Sequence, residues 1–271
     1  DARKLYDMLI GPASSDLAGK DTLIIVPDAI LWQLPFQALE TPSNQSLIEK
    51  HAIFFAPSIT VLSRIRQTGT SASADARQPL LFAAGDSSVG RELPSLKTMY
   101  GAGSRIVTGT TATESEVKAA ASEYRIVHLA AHGFYDDAHP MNSYLQLTHD
   151  ADDSEDGKLE AREMMSMDLK AEMVVLSACE TARGDASGGE GLVGMTWALL
   201  VAGVPTAVAS QWKVDSESTA ELMIQFHRLL RQSNFRAKAK ALQRASLSVM
   251  KNPQYRHPFY WAGFVMVGTG M

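Results

Sequence analysis

Short apolar runs alternate with longer amphipathic segments along the whole chain. The runs are rich in valine, leucine, isoleucine and alanine, and most of them stop at a glycine, a proline or a polar residue. This pattern is typical of strands buried on both faces of a parallel sheet. The predicted strands span residues 22–26, 51–55, 80–84, 105–107, 125–133, 174–179, 206–210 and 261–267, with a hairpin strand around 144–147.

Between these runs, apolar residues recur at the three-to-four-residue spacing of helices. The predicted helices span residues 2–10, 59–66, 93–100, 113–124, 160–165, 192–202, 216–231 and 237–250. Thr113 and Glu116 have capping-box spacing at the start of one of them. Helix 192–202 is apolar almost all round, which predicts that it is buried. Residues 69–77 are small and polar and are predicted to form a linker. The alternation as a whole predicts an α/β fold with helices on both faces of a mostly parallel sheet.

Composition narrows the class of protein. The chain has 271 residues, 45% of them hydrophobic and 20% charged, which is ordinary for a folded globular protein. A net charge of −5 argues against direct nucleic-acid binding. The single cysteine excludes an internal disulfide and fits a reducing, cytoplasmic location. We find neither a membrane-spanning run nor a signal peptide, and we expect no membrane association. The chain starts at Asp1, and we expect a region upstream of it.

Two of the predicted strands end in residues that carry chemistry. The run 174–178 leads into Cys179, the only cysteine, and the run 125–131 leads into His132 and Gly133. Because ligands bind outside the carboxyl ends of strands in open α/β sheets, a nucleophile and a base placed there would meet in space. A lone cysteine is more often a small buried hydrophobe, and this alternative stays open on pattern alone.

The chain carries four motifs: Val-His-Leu-Ala-Ala-His-Gly at 127–133, Leu-Ser-Ala-Cys-Glu-Thr at 176–181, Gly-Glu-Gly-Leu at 189–192 and Ser-Gln-Trp-Lys-Val-Asp at 210–215. In this order they resemble those of the CHAT domain, a caspase-like cysteine peptidase module akin to separase and often fused to TPR repeats. The histidine precedes the cysteine by 47 residues, close to caspase spacing. Caspases carry Gln-Ala-Cys-x-Gly at the cysteine, so a caspase preference for aspartate is not implied.

The resemblance implies a three-layer α/β/α sandwich over residues 1–271, with a supporting, pseudo-caspase-like half at 1–100 and a catalytic half at 101–271. It implies a cysteine endopeptidase in which Cys179 attacks the peptide carbonyl and His132 acts as base. The backbone N–H groups of Gly133 and Cys179 would form the oxyanion hole. It also implies a protein or peptide substrate, no metal and no other cofactor, and regulation by an N-terminal TPR-type region outside this chain. The expected setting is bacterial defence or cell-death signalling.

The resemblance also places substrate-binding residues. Asp215 would receive a lysine or arginine side chain before the cut, Trp212 would wall that pocket, and Gln211 belongs to the same segment. Glu190 would lie beside the cysteine, and Asp136, with its neighbour Asp137, would border the cleft. Each has a plain alternative: Asp215 as a helix N-cap, Trp212 as core, Glu190 as a residue that pins its own loop, and the loop acids as solvated.

Other motifs are rejected. His128 and His132, four apart in one predicted strand, would share a face, but the usual spacing of a metal site is missing, so His128 is predicted to be a core histidine. Residues 188–191 lack the lysine of a phosphate loop. Residues 150–157 lack the ligand spacing of a calcium loop and are predicted to be solvated. The competing functions are a catalytically latent scaffold for protein partners and a thiol hydrolase of small amides.

Overall fold

The computed structural model describes residues 1–68, 78–84, 91–177, 179–180 and 190–271, with the backbone alone described at positions 68, 78, 179, 180, 190 and 191. Its helices are α1 (Ala2–Leu9), α2 (Leu47–Lys50), α3 (Ile59–Thr68), α4 (Glu92–Tyr100), α5 (Glu114–Ala120), α6 (Ala161–Ser166), α7 (Glu190–Val201), α8 (Ser216–Gln232), α9 (Lys238–Met250) and α10 (Pro258–Trp261). Its strands are β1 (Thr22–Ile25), β2 (Ala52–Phe55), β3 (Gln78–Ala84), β4 (Ser104–Thr108), β5 (Tyr124–Leu129), β6 (His132–Phe134), β7 (Tyr144–Gln146), β8 (Lys158–Glu160), β9 (Met173–Leu176), β10 (Cys179–Glu180), β11 (Thr206–Ser210) and β12 (Phe264–Gly268).

Eight of the described strands form a central sheet in the order β1-β2-β12-β11-β9-β5-β3-β4. All neighbouring pairs are parallel except β11 and β12. The sheet therefore contains a block of five parallel strands, from β11 to β4, and a block of three that runs the opposite way. The predicted α/β fold with a mostly parallel sheet is confirmed.

Helices cover both faces of this sheet. Side chains alternate between the faces along each strand, so each strand contributes residues to both helix layers. On one face, strand residues such as Leu129 and Leu176 pack against α5, α6 and α7. On the other face, Ile126 and Val175 pack against α4, α8 and α9. The central strands β9, β11 and β12 are buried at every position, as the continuous apolar runs predict. The arrangement is the predicted three-layer sandwich.

A second sheet has the order β10-β6-β7-β8. The sequence predicted its strand β7, as the hairpin strand around 144–147, but did not predict the sheet. Strand β10 pairs with β6 in parallel, whereas β6, β7 and β8 pair antiparallel. The predicted strands 125–133 and 174–179 were therefore wrong as single elements. Each is divided, with its first part in the central sheet and its last part, containing His132 or Cys179, in the second sheet.

Several other predictions need correction. The last predicted strand, 261–267, is in part helix α10, and its strand starts at Phe264. Helix α7 is not fully buried, since Trp197 is 40% exposed and Val201 is 51% exposed. The acidic loop is not wholly solvated, because Asp150 is buried and accepts bonds from Ser115 at the start of α5. The predicted linker 69–77 lies outside the described residues. None of the described helices combines the length and the apolar character needed to cross a membrane.

Candidate active site

His132 and Cys179 lie opposite each other in the second sheet. Strands β5 and β9 are neighbours in the central sheet, where Leu129 pairs with Leu176. Three residues further along each chain segment, His132 pairs with Cys179 in the β6–β10 ladder. Adjacent strands lie about 4.8 Å apart, so the backbones at these two positions are direct neighbours. The two segments thus leave the central sheet in step and keep their register.

Strand β6 is one of the two inner strands of this small sheet and lies between β10 and β7. Along β6, His132 is exposed and Gly133 is buried. Gly133 pairs with Glu180 on one side and with Leu145 on the other. A glycine here leaves the backbone accessible at close range, as an oxyanion hole requires. The assignment of the oxyanion hole to Gly133 and Cys179 stays a prediction.

His128 is confirmed as a core histidine. Its side chain is fully buried on the face of α4 and α8, with Nε2 3.0 Å from Glu92 Oε1 and Nδ1 3.0 Å from His227 Nε2. The prediction that His128 and His132 share a face of one strand was wrong. They lie on different strands of different sheets, because the chain leaves the central sheet between them.

Asp136 organises the loop that follows β6. Its Oδ1 accepts the backbone N–H groups of Ala138 and His139 at 3.0 and 2.8 Å, and its own N–H donates to Ser143 Oγ at 3.0 Å. Carboxylates commonly hold turns in this way. The loop continues into a 3₁₀ turn, Pro140–Asn142, that packs against α7. The closest approach is at Gly194, where an added Cβ would lie 2.7 Å from Pro140 Cβ. Contact of Asp136 with substrate stays a prediction, as does any role of Asp137.

The segment 211–215 leaves the same edge of the central sheet, since β11 runs parallel to β9 and ends beside it. Gln211 is held by its Nε2, which donates to the Trp32 carbonyl at 2.8 Å, while its buried Oε1 has no hydrogen-bond partner among the described residues. Trp212 is half-buried and donates from Nε1 to the Phe259 carbonyl at 3.1 Å. Its indole lies against Gly263, where a Cβ would come within 3.2 Å of it.

Asp215 is the N-cap of α8, as its alternative interpretation predicted. Its Oδ2 accepts the Ser218 N–H at 2.9 Å. A carboxylate has further acceptor positions, so the cap leaves room for a second, cationic partner. The pocket role of Asp215, Trp212 and Gln211 stays a prediction. The side chain of Glu190 and the glycines at 188–189 lie outside the described residues, so those predictions remain as stated.

Sequence reasoning missed two clusters of charged and polar groups, the first buried and the second half-buried. One joins Glu92, His128, His227 and Tyr100 between β5, α4 and α8. The other surrounds Lys118, whose Nζ lies 2.7 Å from Glu114 and 2.9 Å from both Glu155 and Glu163. The three carboxylates lie within 4.8 Å of one another, close enough to hold a cation, and the lysine ammonium takes that place. Helical spacing gave one signal, since Glu114 and Lys118 are four residues apart.

Comparison with known proteins identifies related sequences and folds. A family model described as CHAT domain matches residues 1–269. Tetratricopeptide repeat protein 28 of Homo sapiens is 25% identical, and that of Mus musculus is 24% identical, each over 98% of the chain. The chain spans only 13% of the length of each of these relatives.

Two crystal structures of the Saccharomyces cerevisiae separase–securin complex contain a chain of similar fold, with TM-scores of 0.58 and 0.56. The similarity covers 87% of this chain in both cases, and 14% and 15% of those chains, at 13% and 12% sequence identity. At such identity the likeness concerns the fold, and it agrees with the α/β/α architecture above.

Proposed function

Because the chain belongs to the CHAT domain family, we propose that it is a cysteine endopeptidase in which Cys179 is the nucleophile and His132 the general base. The observation that supports this proposal best is the ladder register that pairs positions 132 and 179. Residues 47 apart in sequence are brought to adjacent backbone positions, and they are the two residue types that thiol catalysis needs. The family and the separase-like fold support a peptidase as the reaction class.

The proposed reaction has two halves. An imidazolium beside the thiol favours the thiolate, which attacks the peptide carbonyl carbon and forms a C–S bond. The backbone N–H groups of Gly133 and Cys179 would stabilise the oxyanion. The C–N bond then breaks, and His132 gives its proton to the leaving amine. In the second half, His132 takes a proton from water, the water oxygen attacks the thioester, and the C–S bond breaks to release the acid.

Substrate preference forms the finer part of the proposal. The segment 211–215 starts beside the strand that leads to Cys179, which supports a role in recognising the residue before the cut. The Asp215 carboxylate would pair with a lysine or arginine there, with Trp212 as the wall. Gln211 Oε1 is a buried acceptor without a partner among the described residues and would accept from the same side chain. Glu190 and Asp136 would border the cleft.

Regulation by a repeat region is also part of the proposal. Both curated relatives are named for tetratricopeptide repeats, and this chain spans 13% of each. We propose that such a region controls the peptidase, with residues 1–100 supporting the catalytic half at 101–271. The relatives come from mammals, so the expected bacterial setting stays a prediction, as does the cytoplasmic location.

The test is cleavage of a positional peptide library by the wild type, Cys179→Ala and His132→Asn. We expect cleavage to depend on both residues, so that the cleavage rate falls about a hundredfold or more in each variant. His149→Asn is the matched control, since His149 is an exposed histidine of another loop. Cleavage that persists in Cys179→Ala would contradict the proposal. Hydrolysis of simple amides without peptide cleavage would favour the small-amide hydrolase.

Alkylation by iodoacetamide gives an independent readout, because the chain has a single cysteine. A thiolate maintained by His132 should react faster at neutral pH than the thiol in His132→Asn. If no peptide in the library is cleaved, and alkylation is slow and unchanged by His132→Asn, the latent scaffold would be favoured. Fast, His132-dependent alkylation without cleavage would instead indicate a peptidase that needs its partner region.

A further inference from the structure

Four buried side chains form a continuous polar relay between α4, β5 and α8. Glu92 Oε1 lies 3.0 Å from His128 Nε2, and His128 Nδ1 lies 3.0 Å from His227 Nε2. His227 Nδ1 is 2.8 Å from the Tyr100 hydroxyl. Glu92 Oε1 and His128 Nε2 are close, but neither makes a well-aligned hydrogen bond with any described residue, so this contact of the relay is defined by distance alone. Glu92 and Tyr100 are the first and last residues of α4, so the relay follows that helix from end to end.

Burial makes the relay sensitive to where its hydrogens lie. Both histidines are 0% exposed, Glu92 is 4% exposed and Tyr100 is 8% exposed. The two imidazole rings stack with centroids 5.2 Å apart, and Phe82 covers His128 at 5.0 Å. A buried polar group that lacks a partner costs about 1–3 kcal/mol, so each link must join one donor to one acceptor.

Counting donors from the ionised carboxylate gives one arrangement. Glu92 can only accept, so His128 carries its hydrogen on Nε2 and leaves Nδ1 as an acceptor. His227 then donates from Nε2, and its Nδ1 accepts from the Tyr100 hydroxyl. In each contact a donor then faces an acceptor, both imidazoles are neutral, and the relay carries a single negative charge on Glu92.

Adding one proton reverses the two links that His227 makes and breaks none of the three. The proton can go to His128, which then carries a hydrogen on both ring nitrogens, or to Glu92. In either case His128 donates from Nδ1 to His227 Nε2. His227 then carries its hydrogen on Nδ1 and donates to the Tyr100 oxygen, since a hydroxyl can also accept. A second proton placed on His227 would set an N–H of each ring against the other across 3.0 Å. Burial, and then the charge of His128, lower the pKa of His227 well below its usual value, which keeps His227 neutral in both arrangements.

We propose that this relay binds a single proton, and that His227 reports it by moving its hydrogen from Nε2 to Nδ1 without becoming charged. The inference goes beyond the proposed peptidase and does not depend on it. The relay would make the packing of α4 and α8 on β5, the strand that leads to His132, linked to pH.

Charged groups near the relay favour its proton-free form. The Arg231 guanidinium of α8 lies 5.4 Å from the centre of the Tyr100 ring and donates to the Met99 carbonyl. Arg125 of β5 is paired with Glu172 at 3.1 Å and also acts on Tyr100. Burial raises the pKa of the Tyr100 hydroxyl, against the opposing effect of these two cations, so Tyr100 keeps its hydrogen. A positive charge next to one end of the relay opposes the uptake of a further proton.

The test is a pH titration of the ¹⁵N-histidine-labelled full chain by long-range ¹H–¹⁵N NMR, from about pH 5 to pH 8. We expect His227 to show the Nε2–H tautomer at the upper end and Nδ1–H at the lower end, in the wild type and in Cys179→Ala alike. An imidazole that takes up a proton without changing tautomer gains a second N–H, so the two kinds of change can be told apart in the same spectra. Running Cys179→Ala separates this question from peptidase activity.

Two variants make the test specific. Glu92→Gln replaces the charged acceptor by a neutral amide and should abolish the tautomer change. Tyr100→Phe keeps Glu92 and both histidines and should retain it. A doubly protonated His227 in the folded protein would overturn the proposal. So would a single tautomer throughout, or a tautomer change that survives Glu92→Gln. The wild-type titration decides the matter even if Glu92→Gln fails to fold.

Discussion

Replacing Asp215 separates its observed role as a helix cap from its proposed role in recognising substrate. Asparagine is as good an N-cap as aspartate, so Asp215→Asn keeps the bond to Ser218 N–H but removes the charge. Asp215→Ala removes both. The pair of variants therefore tests two properties of one side chain, with the stability of α8 measured separately from catalysis.

The magnitudes follow from the geometry. The cap bond is 2.9 Å long and starts a 17-residue helix that buries Leu222, Phe226 and Leu230 completely. Losing such a cap costs about 1 kcal/mol, and losing a negative charge near a helix N-terminus costs about 0.3–1 kcal/mol. We therefore expect Asp215→Ala to lose about 1–2 kcal/mol of unfolding free energy and Asp215→Asn less than about 1 kcal/mol.

The substrate effect should be larger and should appear in both variants. Removing one partner of a desolvated charge pair costs about 2 kcal/mol or more, which is roughly a 30-fold loss in kcat/KM. The assay compares two peptides that differ only in arginine or its neutral isostere citrulline before the cut, beside urea denaturation. Wild type should prefer arginine, and Asp215→Asn should lose that preference.

The matched control is Thr113→Ala, which removes the N-cap of α5, where Thr113 Oγ1 accepts the Glu116 N–H at 3.3 Å. It should lower stability like Asp215→Ala and leave the arginine-to-citrulline ratio unchanged. An Asp215→Asn enzyme that keeps the wild-type ratio would refute the pocket role. Equal loss of stability in the Asn and Ala variants would refute the cap argument.

Two further predictions concern packing and buried charge. Gly194→Ala would force a Cβ to within 2.7 Å of Pro140 Cβ and 2.8 Å of its carbonyl oxygen, so we expect a loss of about 1–3 kcal/mol in urea denaturation. Gly11→Ala, which meets only a 3.6 Å contact, should be tolerated, and an equal effect of the two would contradict the packing argument. Lys118→Met leaves three carboxylates within 4.8 Å of one another, of which only that of Glu114 is buried, so we expect a loss of about 2 kcal/mol at neutral pH, less than for a fully buried pair, that shrinks towards acid pH as they protonate. Lys240→Met, which breaks an exposed pair with 44% and 78% exposed partners, should cost less than about 1 kcal/mol, and a Lys118→Met loss that is independent of pH would count against the electrostatic explanation.

The central sheet could be predicted from sequence because its strands carry a strong signal. Strands β9, β11 and β12 are largely apolar and buried at every position, because helices cover both faces of the sheet. The second sheet gave no such signal. Strands β6, β7 and β8 have three residues each and β10 has two, too few to display a period. Sequence therefore placed His132 and Cys179 near each other but assigned them to the wrong sheet.

Contacts between residues far apart in the sequence could not be predicted from local sequence patterns. His128 could be assigned to the core because its neighbours in the strand are apolar. Its partner His227 is 99 residues away, and Tyr100 is 127 residues from His227. Nothing in the amphipathic pattern of α8 distinguishes His227 from an apolar core residue. The exposure of Trp197 has the same origin, since composition cannot say which side of an apolar helix lacks a covering element.

The register of the two sheets accounts for what the sequence could and could not predict about the candidate pair. Leu129 and Leu176 are opposite each other, and three residues later so are His132 and Cys179. The connections between the sheets are therefore of equal length, and the ladder rather than a loop sets the separation of the pair. One residue inserted in either connection would shift the pairing by one position and set His132 against a neighbour of Cys179. The pair can be recognised from residue types and strand ends, whereas the equality of the two connections becomes visible only in the folded chain.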